Sequence, residues 1–65
     1  MRGVVTEFDD HKGWGTITAD DGGEWFFHCT QIADGSRTIA VAVEVSFEAL
    51  PRMGRYEATA VTPAP

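Results

Sequence analysis

The chain has 65 residues, ten of them acidic and five basic, for a net charge of −5. A chain this short allows one domain, which buries only about 60% of the surface its unfolded form exposes. Its single cysteine excludes an internal disulfide, and the acidic excess argues against long-range steering toward polyanions.

The opening Met1-Arg2-Gly3 leads into alternating polar and apolar residues, with no signal-peptide core. Arg2 to Asp9 reads as a first strand, ended by the turn chemistry of Asp9-Asp10-His11. Lys12 to Ala19 is the second strand, ended by Asp20-Asp21-Gly22-Gly23, and Glu24 to Cys29 the third, rich in aromatic residues. Gln31 to Ala40 has no clean period, and Asp34-Gly35-Ser36 marks it as a crossing loop with room for a short helical turn near Ile32 to Asp34. The longest aliphatic run, Ile39 to Val43, is too short to span a bilayer, so a reducing, cytoplasmic setting is expected.

Val43 to Leu50 alternates Val43, Val45, Phe47 and Ala49 against Glu44, Ser46 and Glu48, which predicts a fourth strand with one buried face. Pro51 to Gly54 turns. Arg55 to Thr62 forms the fifth strand, with Tyr56, Ala58 and Ala60 on one side and Glu57, Thr59 and Val61 on the other; residues 63–65 are a frayed end of the single domain 1–65. Five short strands with a long third connection predict an all-β, five-stranded antiparallel barrel of the oligonucleotide-binding type, which binds on the face of its second and third strands.

Alternate residues of a strand share a face. Burying Ile17 therefore exposes Trp14, which lies between Gly13 and Gly15 where a strand ordinarily avoids glycine. In the third strand Phe26 and His28 share one face and Trp25 and Phe27 the other, so one pair points outward. Phe26 can stand beside Trp14, with His28 next and Lys12 at the rim, a stacking platform for bases.

Lys12-Gly13-Trp14-Gly15-Thr16-Ile17 and Trp25-Phe26-Phe27-His28-Cys29-Thr30 resemble the paired ribonucleoprotein motifs of the cold-shock domain, usually KGFGFI and VFVHFS. Arg2-Gly3-Val4-Val5 with Phe8-Asp9 resembles that family's opening strand, Asp20-Asp21-Gly22 its acidic turn and Val45-Ser46-Phe47-Glu48 its fourth strand, so the resemblance covers nearly the whole chain. It implies that Phe26 and His28 face the ligand with Lys12, Trp14 and Phe8, and that Trp25 and Phe27 fill small core positions. The residues Ala42, Ala49, Ala58 and Ala60 are expected to make room for those two rings. Secondary contacts are expected from Thr16, Asp9, Arg37 and Arg55. The chain departs from the family pattern at Glu7, where a stacking Trp is usual, at Thr16 and Cys29, where rings are usual, and in the third loop, where Ser36 and Arg37 stand near a missing aromatic.

The resemblance implies binding of single-stranded RNA or DNA by stacking, as a nucleic-acid chaperone or a regulator of transcription or translation, with affinity lowered by the lost rings. The alternative is a module of the same fold turned toward a protein partner, favoured by Glu7, Asp9 and the net charge. No enzymatic constellation is visible: His11, His28, Ser36, Ser46 and Cys29 stand at no catalytic spacing. The adjacent strand residues His28 and Cys29 point to opposite faces and cannot share a metal. No metal, cofactor, membrane or small-molecule substrate is expected, and the chain is read as a monomer or weak dimer.

Overall fold

In the computed structural model, which describes residues 1–52 and 54–64, five antiparallel strands form one sheet. They are β1 (Arg2–Asp9), β2 (Trp14–Ala19), β3 (Glu24–His28), β4 (Glu44–Arg52) and β5 (Arg55–Pro63), with one 3₁₀ turn at Cys29–Gln31. The strand order β3-β2-β1-β4-β5 brings β3 and β5 to the two ends. These ends curl together: the segment after β3 bridges Ile32 to Val61, and the Ala33 amide donates to the Val61 carbonyl at 2.8 Å. The result is an oligonucleotide-binding-type barrel whose seam is packed by side chains.

The short strands end where the sequence supplies turns. Asp9 Oδ1 accepts from the amides of His11 (2.9 Å) and Lys12 (3.1 Å), and Gly13 closes the β1–β2 turn at φ +75° with its amide on the Asp9 carbonyl. Consequently β2 starts at Trp14, two residues later than the Lys12 start that the sequence suggests. A single bond from the Cys29 amide to the Gly13 carbonyl extends the β2–β3 pairing past the strand ends. Cys29, expected to end the third strand, instead opens the 3₁₀ turn. At the other terminus Pro63 pairs with Val45 and the Ala64 amide donates to the Glu44 carbonyl, so residues 63 and 64 are tied to the sheet where a frayed end was expected. Pro65 lies outside the described residues.

The core consists of Val5, Ile17, Ala19, Phe27, Ile32, Val45, Phe47, Ala58 and Val61. Phe27 is fully buried, while Trp25 is half-buried against Phe47 and Tyr56, with ring centroids 5.5 and 6.4 Å away. Space for the Phe27 ring comes from glycine. Gly15 is the cross-strand partner of Phe27, and a Cβ there would meet the Glu7 carbonyl, Phe8 Cδ1 at 2.9 Å and Phe27 Cζ at 3.0 Å. Ala58 is buried in the core, but Ala42, Ala49 and Ala60 are exposed, contrary to the volume argument from the sequence.

Alternation along β5 fails for a similar local reason. Ser46 pairs with Thr62 and Glu48 with Thr59, so Phe47 faces two residues of β5, and Ala60 takes φ +52° in this bulge. The bulge turns Val61 into the core and leaves Ala60 exposed, reversing the predicted face beyond Thr59. No helix among the described residues is long and apolar enough to cross a membrane.

Candidate nucleic-acid interface

The pairing of β1, β2 and β3 sets outward side chains in three cross-strand rows: Val4, Thr18 and Glu24; Glu7, Thr16 and Phe26; and Asp9, Trp14 and His28. Neighbours within such rows are close enough to pack. Trp14 and Phe26, diagonal in this grid, have ring centroids 5.3 Å apart, and Phe26 meets His28 edge-on at 5.0 Å with an interplanar angle of 88°. Lys12 Nζ lies 6.0 Å from the Trp14 ring centroid. Trp14 and Phe26 are half-buried by one another and His28 is exposed, so the three rings form one continuous surface with the cation at its edge. Phe26 and His28 are the outward pair, and Phe27 the inward one.

A bulge in β1 decides what borders this surface. Val5 pairs with Ile17 and Glu7 with Thr16, leaving Thr6 as an extra residue whose Oγ1 lies 3.3 Å from the Thr16 carbonyl oxygen and 3.2 Å from Thr18 Oγ1. Without it, strict alternation from buried Val5 would turn Glu7 inward and Phe8 outward. With it, Glu7 stands exposed on the outer face while Phe8 turns toward the core and stacks on Phe27 at 5.9 Å with a 15° interplanar angle. Phe8, expected to face the ligand, is thus half-buried, yet it still lines an open cleft.

That cleft, of about 460 Å³, runs along β1 beside the platform, between Glu7, Phe8, Lys12, Trp14 and Val41. Asp9 lies at its margin, but Asp9 Oδ1 is taken up by the two turn amides. Thr16 occupies the middle of the central row. Arg37 is exposed in the connection between Ile32 and Glu44 and adopts φ +61°. The next residue, Thr38, donates to Asp10 Oδ1 at 2.8 Å, which docks this loop on the β1–β2 turn at the Lys12 end of the platform. In the same loop the Ser36 amide donates to Asp34 Oδ1 at 2.9 Å and holds the Asp34 carboxyl below its ordinary range. The side chain of Arg55 lies outside the described residues.

Two residues of the cleft were not singled out from the sequence. Thr6 carries no local signal for a bulge. Val41 is 54% exposed although apolar, because the Ala42 amide and the Val43 carbonyl bond to Val5 and fix the loop's end along β1. Among the described residues no group of three or more His, Cys, Asp or Glu side chains could hold a metal.

The family model of the "Cold-shock" DNA-binding domain matches residues 1–64. The chain is 45% identical over 49 residues to a cold shock-like protein of Thermotoga maritima, and 42% identical over 49 residues to the cold shock protein CspB of Bacillus caldolyticus. Each alignment covers 74% of both partners. Among solved structures, the Drosophila Unr fragment CSD456 superposes with a TM-score of 0.81 at 26% identity, covering 98% of this chain and 26% of that one. The chain therefore spans about three quarters of the two bacterial relatives and about a quarter of the Drosophila fragment. With the barrel, the paired aromatic strands and the family model in agreement, the chain belongs to the cold-shock domain family, whose members bind nucleic acid and are not enzymes.

Proposed function

We propose that this protein binds single-stranded RNA or DNA by stacking unpaired bases on Trp14, Phe26 and His28, and acts in the cytoplasm as a nucleic-acid chaperone or as a regulator of transcription or translation. The observation that carries the reading is the unbroken outer-face sequence of three rings with Lys12 at its rim. Each ring offers a face to any base, so binding tolerates many sequences. Phe8 adds an apolar floor to the adjoining cleft, and Lys12 supplies a cation for a phosphate. A strand held extended on this face is unavailable for pairing, so duplex reformation is disfavoured by mass action, with no cofactor or nucleotide hydrolysis.

Affinity is lower than a full aromatic set would give. Glu7, Thr16 and Cys29 stand where the family usually has rings, and each stacked base is worth about 1–3 kcal/mol. Titration calorimetry with oligothymidylate tests the reading. The wild-type chain binds, and Trp14→Ala weakens binding by about 1–3 kcal/mol while its β-sheet circular dichroism is retained. Loss of the fold in that variant would make Trp14 a structural residue. Absence of binding by the wild type to thymidine-only and mixed-sequence strands alike would favour a protein partner instead.

A further inference from the structure

The cleft beside the platform contains a group that base stacking does not use. Glu7 stands on the outer face across from Thr16, in the same row as Phe26 and diagonal to Trp14, and it lines the cleft whose floor is Phe8. Among the described residues its carboxylate makes no ion pair or hydrogen bond. Asp9, the other carboxylate nearby, is already engaged by the His11 and Lys12 amides. Glu7 is therefore the one cleft acid with both oxygens available, set between an apolar floor, the Trp14 ring and Val41.

An ionised carboxylate accepts hydrogen bonds and donates none. Of the bases, guanine presents two adjacent donors on its Watson–Crick edge, the ring N1–H and the exocyclic N2–H₂, and these match the two oxygens of one carboxylate. Adenine and cytosine offer a single amino donor next to a ring nitrogen lone pair that repels the second oxygen. Uracil and thymine place their one N–H between two carbonyl oxygens, both repelled by the carboxylate. We propose that Glu7 makes this cleft a guanine-selecting subsite: a base entering over Phe8 and beside Trp14 is read by a bidentate, charge-assisted contact, while Lys12 at the rim takes the neighbouring phosphate. The inference rests on the single-strand binding proposed above and names the base that one position of that strand prefers.

The test is calorimetric titration of the wild-type chain with four heptadeoxynucleotides, all thymidine except for a central guanosine, inosine, adenosine or thymidine. Inosine keeps N1–H and lacks the N2 amino group, so it removes one of the two donors with little change in the stacking ring. The guanosine strand binds at least about fivefold more tightly than the inosine strand, the lower end of the discrimination given by a bidentate contact. In Glu7→Ala, with the fold checked by circular dichroism, that difference disappears. Equal affinity of the wild type for the guanosine and inosine strands, with both bound, overturns the guanine subsite and leaves the stacking platform standing. A guanosine preference that survives in folded Glu7→Ala assigns the selection to another residue and overturns it as well. Binding to none of the four strands overturns the platform itself.

Discussion

If a strand runs over the platform as proposed, Glu7 costs it a stacking ring and adds an anion beside its path. Glu7→Trp should therefore tighten binding to a thymidine-only strand about tenfold or more, the lower end of one added stacked base. Glu7→Gln should give a smaller gain that shrinks with salt, since only repulsion is removed. Calorimetry at two salt concentrations separates the two effects, and unchanged or weaker affinity in a folded Glu7→Trp would place Glu7 off the ligand's path. Phe27 provides the contrast at the same scale. It is fully buried and underlies both Phe8 and Gly15, so Phe27→Ala should lower unfolding free energy by about 3–5 kcal/mol, measured by denaturant titration. A loss under about 1 kcal/mol would mean that the ring is not the centre of the core. The outward placement of Phe26 and His28 was legible because two-residue periodicity leaves only two choices for β3. The outward place of Glu7 followed from the resemblance, whereas the inward turn of Phe8 was not legible, because it depends on one inserted residue, Thr6, that only pairing with β2 reveals.

At the scale of elements, β1 and β2 approach so closely that the inward side of Gly15 admits no carbon atom. A Cβ there meets the Glu7 carbonyl backbone and the rings of Phe8 and Phe27 together, so relief requires moving a strand. Gly15→Ala should cost about 1–3 kcal/mol of stability, as overpacking does in closely packed interiors. It should also weaken strand binding, because Trp14 is carried on the displaced segment. Thermal unfolding read beside the binding titration checks both, and a variant as stable as wild type would show that the sheet yields freely at this point. All five strands could be read from short apolar segments between Asp- and Gly-rich turns. Their ends moved by one or two residues where a turn's own hydrogen bonds took priority, as Asp9 does over Lys12. The face of β5 was misread where the strand bulges. A bulge at Ala60 resets the alternation, and nothing in Ala-Thr-Ala-Val marks where it falls.

For the molecule as a whole, ten acids and five bases leave few cations to meet a strand. Lys12 borders the rings, and Arg37 sits in a loop docked on the neighbouring turn. Each phosphate neutralised on a single strand contributes about −0.7 to the slope of log K against log salt. The slope for oligothymidylate should accordingly be shallower than about −3, and a steeper one, measured across a salt series, would reveal a basic surface beyond these residues. On the proposed reading, affinity rests on rings more than on charge, and the order of side chains on one sheet face should be the main determinant of binding.

The two tryptophans lie on opposite sides of that sheet. Trp14 packs against Phe26 with Lys12 over its ring on the outer face, whereas Trp25 packs on Phe47 and Tyr56 beside the seam between β3 and β5. Their fluorescence therefore reports on different events. With Trp25→Phe, the remaining emission should be quenched when a base stacks on Trp14, and with Trp14→Phe it should be nearly silent to ligand but shift to the red when the seam opens, which would give one small chain separate optical gauges of occupancy and of unfolding.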